Sequence, residues 1–341
     1  MPLVSVEECV TAAQRALEGA GVGAEAAALQ ADLLLDAELR GLPSHGFLRL
    51  ERIIARINNG VADPLTRGLH SWRGDSFLSV DGQQGLGPVV AMHAAEVAGE
   101  RARQTGIAVA AIAHNNHIGM LAWYAEALAE AGLVSIILTT SEALVHPYGG
   151  TTALLGTNPI AIGVPTDNGP FVIDLATSLV SMGEIHDHAH RGAALQPGWA
   201  LDAAGRPTTD AEAAKQGAIA PFGAAKGYAL GLAFELVVTA LTGAALGRDV
   251  TGTLNAEFKS NKGDVFILID PLSGQGAALS AYLEAIRQTP PMDGFEQVLI
   301  PGERGRARKV ERLASGITLA DPVWATMRKL RDAAKPETRI R

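Results

Sequence analysis

The sequence predicts an α/β fold with helical N- and C-terminal parts. Three observations carry this reading. From residue 76 onward, short apolar runs that read as strands alternate with longer stretches of helical spacing, the pattern of a sheet covered by helices. Up to residue 75 the periodicity is helical, and the chain closes on another helix. Glycine, at 38 of 341 residues, punctuates most transitions. That exceeds the average of about 7% and has no collagen period, so it marks tight backbone sites.

The elements follow in order. Ser5-Val6-Glu7-Glu8 has the spacing of a capping box, so a helix starts near residue 6 and stops around Gly19 to Gly23. A second helix runs from Ala24 to Arg40, with Leu29, Leu33 and Ala37 on one face and Gly41 as its stop. Leu42-Pro43-Ser44-His45-Gly46 breaks the chain. A third helix carries Phe47, Leu50, Ile53, Ile54 and Ile57 and ends at Asn58-Asn59-Gly60. Strands are expected at Phe77 to Val80, Ile107 to Ala113, Leu133 to Thr139, Ile160 to Val164, Phe171 to Leu175, Val265 to Asp270 and Val298 to Ile300. Helices are expected at Pro88 to Gln104, Met120 to Glu130, Leu279 to Gln288 and Asp321 to Ala333, with a long buried helix at Ala224 to Thr242. Arg191 to Pro221 is polar and turn-rich, a long loop of the kind that is usually functional or mobile.

Composition narrows the function classes. The charge sum is −8, with 28 basic and 36 acidic residues. No basic stripe with interleaved aromatics points to nucleic acid. The one dense basic run, Arg304 to Arg312, reads as a solvated helix face. A single cysteine, Cys9, excludes an intrachain disulfide and fits a cytoplasmic protein. MPLVSVEECV lacks the basic and apolar regions of a signal peptide. Tyr228 to Gly247 is apolar enough to mimic a membrane span, but Glu235 sits in its middle, so a buried helix is expected and no membrane partner.

The glycines do not form a dinucleotide fingerprint. Gly82-Gln83-Gln84-Gly85-Leu86-Gly87 has the spacing reversed, and no P-loop is present. Other stretches suggest chemistry. Ser44-His45 at a helix break places an imidazole beside a hydroxyl, and Arg49 follows four residues on, a cation suited to a carboxylate. His114-Asn115-Asn116-His117-Ile118-Gly119 links a strand to a helix, where free N–H groups make an anion site. Gly-rich turns at strand ends, with Lys226 opening the long helix, suit a phosphate-bearing ligand. His186, His188 and His190 raise a metal-dependent hydrolase as an alternative, but zinc needs three or four convergent ligands, and no metal is expected.

Taken together these blocks resemble the malate/L-lactate dehydrogenase family of the non-Rossmann type, which includes ureidoglycolate and sulfolactate dehydrogenases and cyclic 2-imino acid reductases. The matching residues are Ser44-His45-Gly46 with Arg49, Asn116-His117-Ile118-Gly119, Leu155-Gly156-Thr157-Asn158-Pro159, and Asp174-Leu175-Ala176-Thr177-Ser178. They continue with Pro197-Gly198-Trp199-Ala200, Pro207-Thr208-Thr209-Asp210, Pro221-Phe222-Gly223 with Lys226-Gly227, and Pro301-Gly302-Glu303. The blocks come in family order across residues 44 to 303.

The resemblance implies a mixed sheet in a non-Rossmann α/β fold, a homodimer, and NAD or NADP as cofactor. It implies a helical, dimerising part at 1–75 with 306–341, an α/β part at 76–115 with 265–305, and a cofactor-binding domain at 116–264. The substrate is a small carboxylate, a 2-oxo acid or a cyclic 2-imino acid. His45 is the implied proton donor with Ser44 in relay, His117 takes that role in some relatives, and Glu184 joins the relay in the imino acid branch. Arg49 and Thr157 are implied contacts to the substrate carboxylate. Implied cofactor contacts are His117, Ile118, Gly119, Met120, Leu121, Ser141, Leu175, Ala176, Thr177, Lys226, and the loop Pro301, Gly302, Glu303, Arg304, Gly305, Arg306. Arg304, Arg306 and Arg308 are candidates for a 2′-phosphate. Two departures stand out. Glu184 replaces a lysine of malate-type members, and Ala224-Ala225 replaces a Gly-His or Gly-Tyr pair before Lys226. A catalytically silent NAD(P)-binding protein is the other alternative.

Overall fold

The computed structural model describes residues 1–334; the end of the expected 306–341 segment lies outside the described residues. A seven-stranded sheet organises the chain. Its strands are β1 (Leu69–Arg73), β2 (Phe77–Asp81), β3 (Ile107–Ala113), β4 (Val134–Thr139), β5 (Ile160–Val164), β6 (Phe171–Leu175) and β7 (Gly263–Ile269). The order is β1-β2-β3-β7-β4-β5-β6. Only β2 and β3 run parallel; every other neighbour is antiparallel. The sheet is therefore mixed, as expected, and unlike a doubly wound parallel sheet.

Side-chain alternation assigns its two faces. Ala108, Ala110, Ile112, Ile137, Phe266 and Leu268 join the large core beneath helices Gly87–Thr105 and Leu121–Glu130. The intervening Val109, Leu138, Val265 and Ile267 face helix Ala225–Thr242 on the other side. The two ends of the chain meet: Leu3–Val4 pairs antiparallel with Ile317–Thr318, and helices Val6–Gly19 and Asp321–Ala333 pack together. Ser5 and Glu8 form the expected capping box.

Four expectations change. β1 was not foreseen; its alternate residues are exposed and it forms the sheet edge, so no apolar run marks it. Val298 to Ile300 is not a strand. Ile300 is buried, but its N–H donates to the Glu303 carboxylate (2.7 Å) instead of a ladder. Arg191 to Pro221 is not structureless, for it holds a three-stranded sheet (Ala200–Leu201, Pro207–Thr208, Ala218–Ile219) and a short helix, Ala211–Ala214. Helix Ala225–Thr242 is not fully buried. Gly227, Gly231, Glu235 and Val238 form its one buried stripe, whereas Leu230, Leu236 and Val237 are 41–51% exposed. Among the described residues it is the one helix long and apolar enough to cross a membrane. Buried Glu235 accepts from Asn158 Nδ2 (2.7 Å) and the Gly247 N–H (2.6 Å), so its carboxylate serves an internal turn.

Candidate active site

The turn after β3 is built by two asparagines. The Asn115 amide donates to the Asp264 carboxylate on β7 (3.1 Å). The Asn116 amide donates to the carbonyls of Gln84 (2.6 Å) and Gly85 (2.8 Å). Side chains thus satisfy backbone groups that a tight loop leaves unpaired. The turn lies so close to the next helix start that a β-carbon on Gly87 would overlap the His117 carbonyl. It closes at Gly119, whose φ of +74° favours glycine.

This turn faces the break between the second and third helices, Ala24–Leu39 and Leu50–Asn58. Between them lies a cleft of about 510 Å³, including the open solvent at its mouth. Its walls carry His45, Arg49, Arg52, Arg56, Asn116 and His117, backed by Leu33, Leu34, Ile53 and Leu86. The His45 and His117 rings stack with centroids 5.6 Å apart. His45 Nδ1 lies 3.1 Å from Ser44 Oγ, so its Nε2 is left for a ligand. His117 Nδ1 accepts the Gly119 N–H (3.2 Å); in the neutral ring the proton therefore sits on Nε2. Arg49 Nε donates to the Ser44 carbonyl (2.7 Å), which holds the guanidinium beside the histidines.

The electrostatics follow from burial and like charge. Burial, then Arg49, pushes His45 down to about 4. His117 is driven well below the usual imidazole range by burial, then by Arg49 and His45. Arg49 itself is lowered to about 10 by burial and Arg52. No carboxylate lines the cleft among the described residues. The site therefore consists of guanidinium cations and neutral imidazoles, ready for an anion.

The sequence profile of the malate/L-lactate dehydrogenase family matches residues 4–328. The chain belongs to the malate/L-lactate dehydrogenase family. It is 36% identical over 314 residues to the (2R)-3-sulfolactate dehydrogenase (NADP(+)) of Chromohalobacter salexigens, covering 91% of this chain and 92% of the relative. It is 33% identical over 337 residues to Delta(1)-pyrroline-2-carboxylate reductase 1 of Burkholderia ambifaria, covering 97% and 98%. The crystal structure of a dehydrogenase from Sinorhizobium meliloti superposes with a TM-score of 0.94 at 53% identity, covering 97% of this chain and 98% of that one.

Within this dehydrogenase family framework, the expected residues fall into four groups. Ser44, His45, Arg49, His117 and Gly119 meet at the cleft. Ser141, Thr157 and Thr177 form a second cluster. There the Thr157 N–H donates to Ser141 Oγ (3.0 Å), and the Thr177 N–H and hydroxyl donate to the Thr157 carbonyl (2.8 and 2.9 Å). Thr157 does not line the cleft. Pro301 to Arg306 form a third group against β6: a β-carbon on Gly302 would lie 2.9 Å from the Val172 carbonyl. Lys226 stands apart, exposed on the first turn of helix Ala225–Thr242.

Glu184 is exposed, although a β-carbon on its neighbour Gly183 would lie 3.0 Å from Ser44 Cβ. The three histidines of the 186–190 run do not converge. His188 stacks on Trp199 (5.4 Å), His186 and His190 are exposed, and Asp187 pairs with Arg191 (2.5 Å). Glu184, Asp187 and His188 do group their ligand atoms within 4.8 Å, on an exposed surface.

The helix N-terminus at Leu121 is not the free anion site that the turn suggested. The Ala122 N–H donates to Asp174 Oδ2 (2.8 Å), and burial lifts that carboxyl to about 6. The residues expected to hold a dinucleotide still suit one. The β6 end exposes Leu175 and Ala176, and Arg306, packed behind Gly302, carries a buried Nε without a partner among the described residues. Arg52 and Arg56 were missed by the sequence reading. The signal was present, for residues 49, 52 and 56 share one helical face.

Proposed function

We propose that this oxidoreductase transfers hydride between NAD(P)H and a small 2-oxo acid or cyclic 2-imino acid, with 2-hydroxy acid oxidation as the reverse. The observation that carries the reading is the cleft, where the half-buried guanidinium of Arg49 stands beside two neutral, stacked imidazoles and apolar walls. A bound nicotinamide supplies the hydride. The residues that would hold it are His117 to Leu121, Ser141, Leu175 to Thr177, Lys226 and Pro301 to Arg306.

Arg49 binds the substrate carboxylate through its two terminal nitrogens, which have no protein partner among the described residues. His117 donates from Nε2 to the carbonyl or imine heteroatom and polarises it. His45 delivers the proton that this atom gains as hydride adds to carbon, and Ser44 behind it relays the replacement. Burial and the neighbouring Arg49 keep His45 neutral; the carboxylate charge that enters with the substrate raises its proton affinity.

A homodimer fits the half-exposed apolar face of helix Ala225–Thr242, which a second copy would cover. The single cysteine, which is buried, fits a cytoplasmic protein.

The test follows reduced-nicotinamide absorbance with NADH and NADPH against oxaloacetate, sulfopyruvate, pyruvate, Δ1-pyrroline-2-carboxylate and Δ1-piperideine-2-carboxylate. Consumption with at least one substrate is expected. A purified protein that oxidises neither cofactor with any of them overturns the reading.

A further inference from the structure

Three arginines face the cleft, and they differ in what already holds them. Arg56 is fully engaged. Its Nε donates to Asn116 Oδ1 (2.7 Å), and its terminal nitrogen donates to the carbonyls of Asn255 (2.8 Å) and Phe258 (3.0 Å). Arg49 uses only its Nε, on the Ser44 carbonyl. Arg52, half-buried in the same wall, has no hydrogen bond or ion pair among the described residues.

Among the described residues no acid pairs with Arg49 or Arg52. The carboxylate of Glu142, beyond the cleft, is taken up by the N–H groups of Thr253 (2.7 Å) and Leu254 (2.9 Å). Two unmatched guanidinium groups therefore stand one helical turn apart, with roots separated by about 5–6 Å. The two histidines beside them are neutral and do not add a third charge.

Unpaired, partly desolvated cations oppose folding unless a ligand neutralises them. A substrate with one carboxylate matches Arg49 and leaves Arg52 uncompensated. A substrate with a second anionic group on the carbon next to its carbonyl matches both. The cyclic imino acids put ring methylenes at that place, beside a guanidinium that methylenes cannot satisfy.

We propose that Arg52 is a specificity-determining residue that binds a second anionic group of the substrate, so that the cleft takes 2-oxo acid dianions bearing a carboxylate or sulfonate. The inference rests on the reductase reading and narrows it. Arg49 anchors the carboxylate next to the reacting carbon, and Arg52 anchors the far anion. Thr253 and Gly252 also line the cleft.

Two experiments on the full chain test this. The first compares kcat/KM for oxaloacetate and sulfopyruvate with that for pyruvate and Δ1-pyrroline-2-carboxylate, in the wild type, Arg52→Gln and Arg52→Lys. Arg52→Gln should lower kcat/KM for both dianions by about 10- to 150-fold, the worth of a hydrogen bond to a charged group, chiefly through KM. The loss for the two monoanions should be several-fold smaller. Arg52→Lys should recover part of the dianion preference.

The second measures malonate and acetate binding by calorimetry without cofactor. Malonate should bind more tightly, and Arg52→Gln should remove most of the difference. Equal losses for dianions and monoanions in Arg52→Gln, with malonate binding unchanged, overturn the proposal. Malonate binding through Arg52 in a protein that turns over none of the substrates overturns the reductase reading instead and leaves the anion site standing.

Discussion

Arginines are drawn into the protein in two regions of this molecule, with opposite pairing. Arg40, capping the C-terminal end of helix Ala24–Leu39, is 6% exposed and bonded to the carboxylates of Asp36 (2.6 Å) and Glu126. Lys309 joins Asp36 from the other side (2.6 Å) and ties helix Glu303–Ser315 to the same helix. Within the cleft, the half-buried Arg49 and Arg52 have no carboxylate partner among the described residues. The paired region is structure: its charges are settled within the protein, and removing one strands another. In the unpaired region no described acid settles the charges, and the proposed substrate anions would do so. Which carboxylates are absent identifies a site as well as which cations are present.

The largest expected effect comes from His45→Ala, which should lower kcat by about 10²–10⁴-fold with little change in the dissociation constant of the reduced nicotinamide measured by fluorescence. Unchanged turnover would break the reading of the cleft as the reacting side. Arg49→Leu should follow, with kcat/KM down about 10²–10³-fold and little loss of melting temperature, because the leucine removes a half-buried charge that no described acid pairs. A drop in melting temperature as large as that for an Arg40 variant would erase the contrast between the regions.

Arg40→Ala is the converse experiment. It leaves Asp36 and Glu126 in place and should destabilise the fold by about 3 kcal/mol in denaturant unfolding, with a smaller effect on kcat. The pH dependence sharpens the same comparison. His45 is lowered to about 4 against an ordinary 6.5, so the folded state binds fewer protons than the unfolded one. Its share of stability is present above pH 6.5 and is lost as pH falls toward about 4. Melting curves of His45→Ala across that range should be flatter than those of the wild type. The smallest effect is local. Ala224 holds φ +55° at the start of helix Ala225–Thr242, a region that favours glycine, so Ala224→Gly should raise stability by up to about 1 kcal/mol.

Much of this was legible in the sequence because it is local. Periodicity marked the first two helices, the capping box fixed the start of the first, and six of the seven sheet strands appeared as apolar runs. Ser44, His45, Arg49 and His117 were legible as a set through the family resemblance of the blocks that hold them. What was hidden depends on partners far along the chain. The β1 edge strand has no apolar run to announce it. The 298–300 run looked like a strand, but burial of Ile300 came without a neighbouring strand to pair with. Helix Ala225–Thr242 is apolar all round, and sequence alone does not say that only one stripe meets the sheet. The Asp174 carboxylate on the Ala122 N–H joins residues 52 positions apart, so no local pattern foretells that the helix start is already occupied. Arg52 was overlooked beside Arg49 because spacing shows which residues share a face, not which of them lack a partner.

The placement of β7 bears on how the molecule comes into being. β1, β2 and β3 form one block, β4, β5 and β6 another, and within the sheet β7 alone hydrogen-bonds to both. It is also the last of the seven to leave the ribosome. Until residue 263 emerges, the inner edges of β3 and β4 stay open, and the Asn115 turn lacks the Asp264 carboxylate that anchors it. The turn that carries His117 is thus completed by the same late pairing that joins the halves. Folding must wait for long-range contacts, a route that is slow and leaves open strand edges in reach of other chains. A nascent chain cut short before β7 should need chaperone protection, and catalytic competence should appear in one step with closure of the sheet.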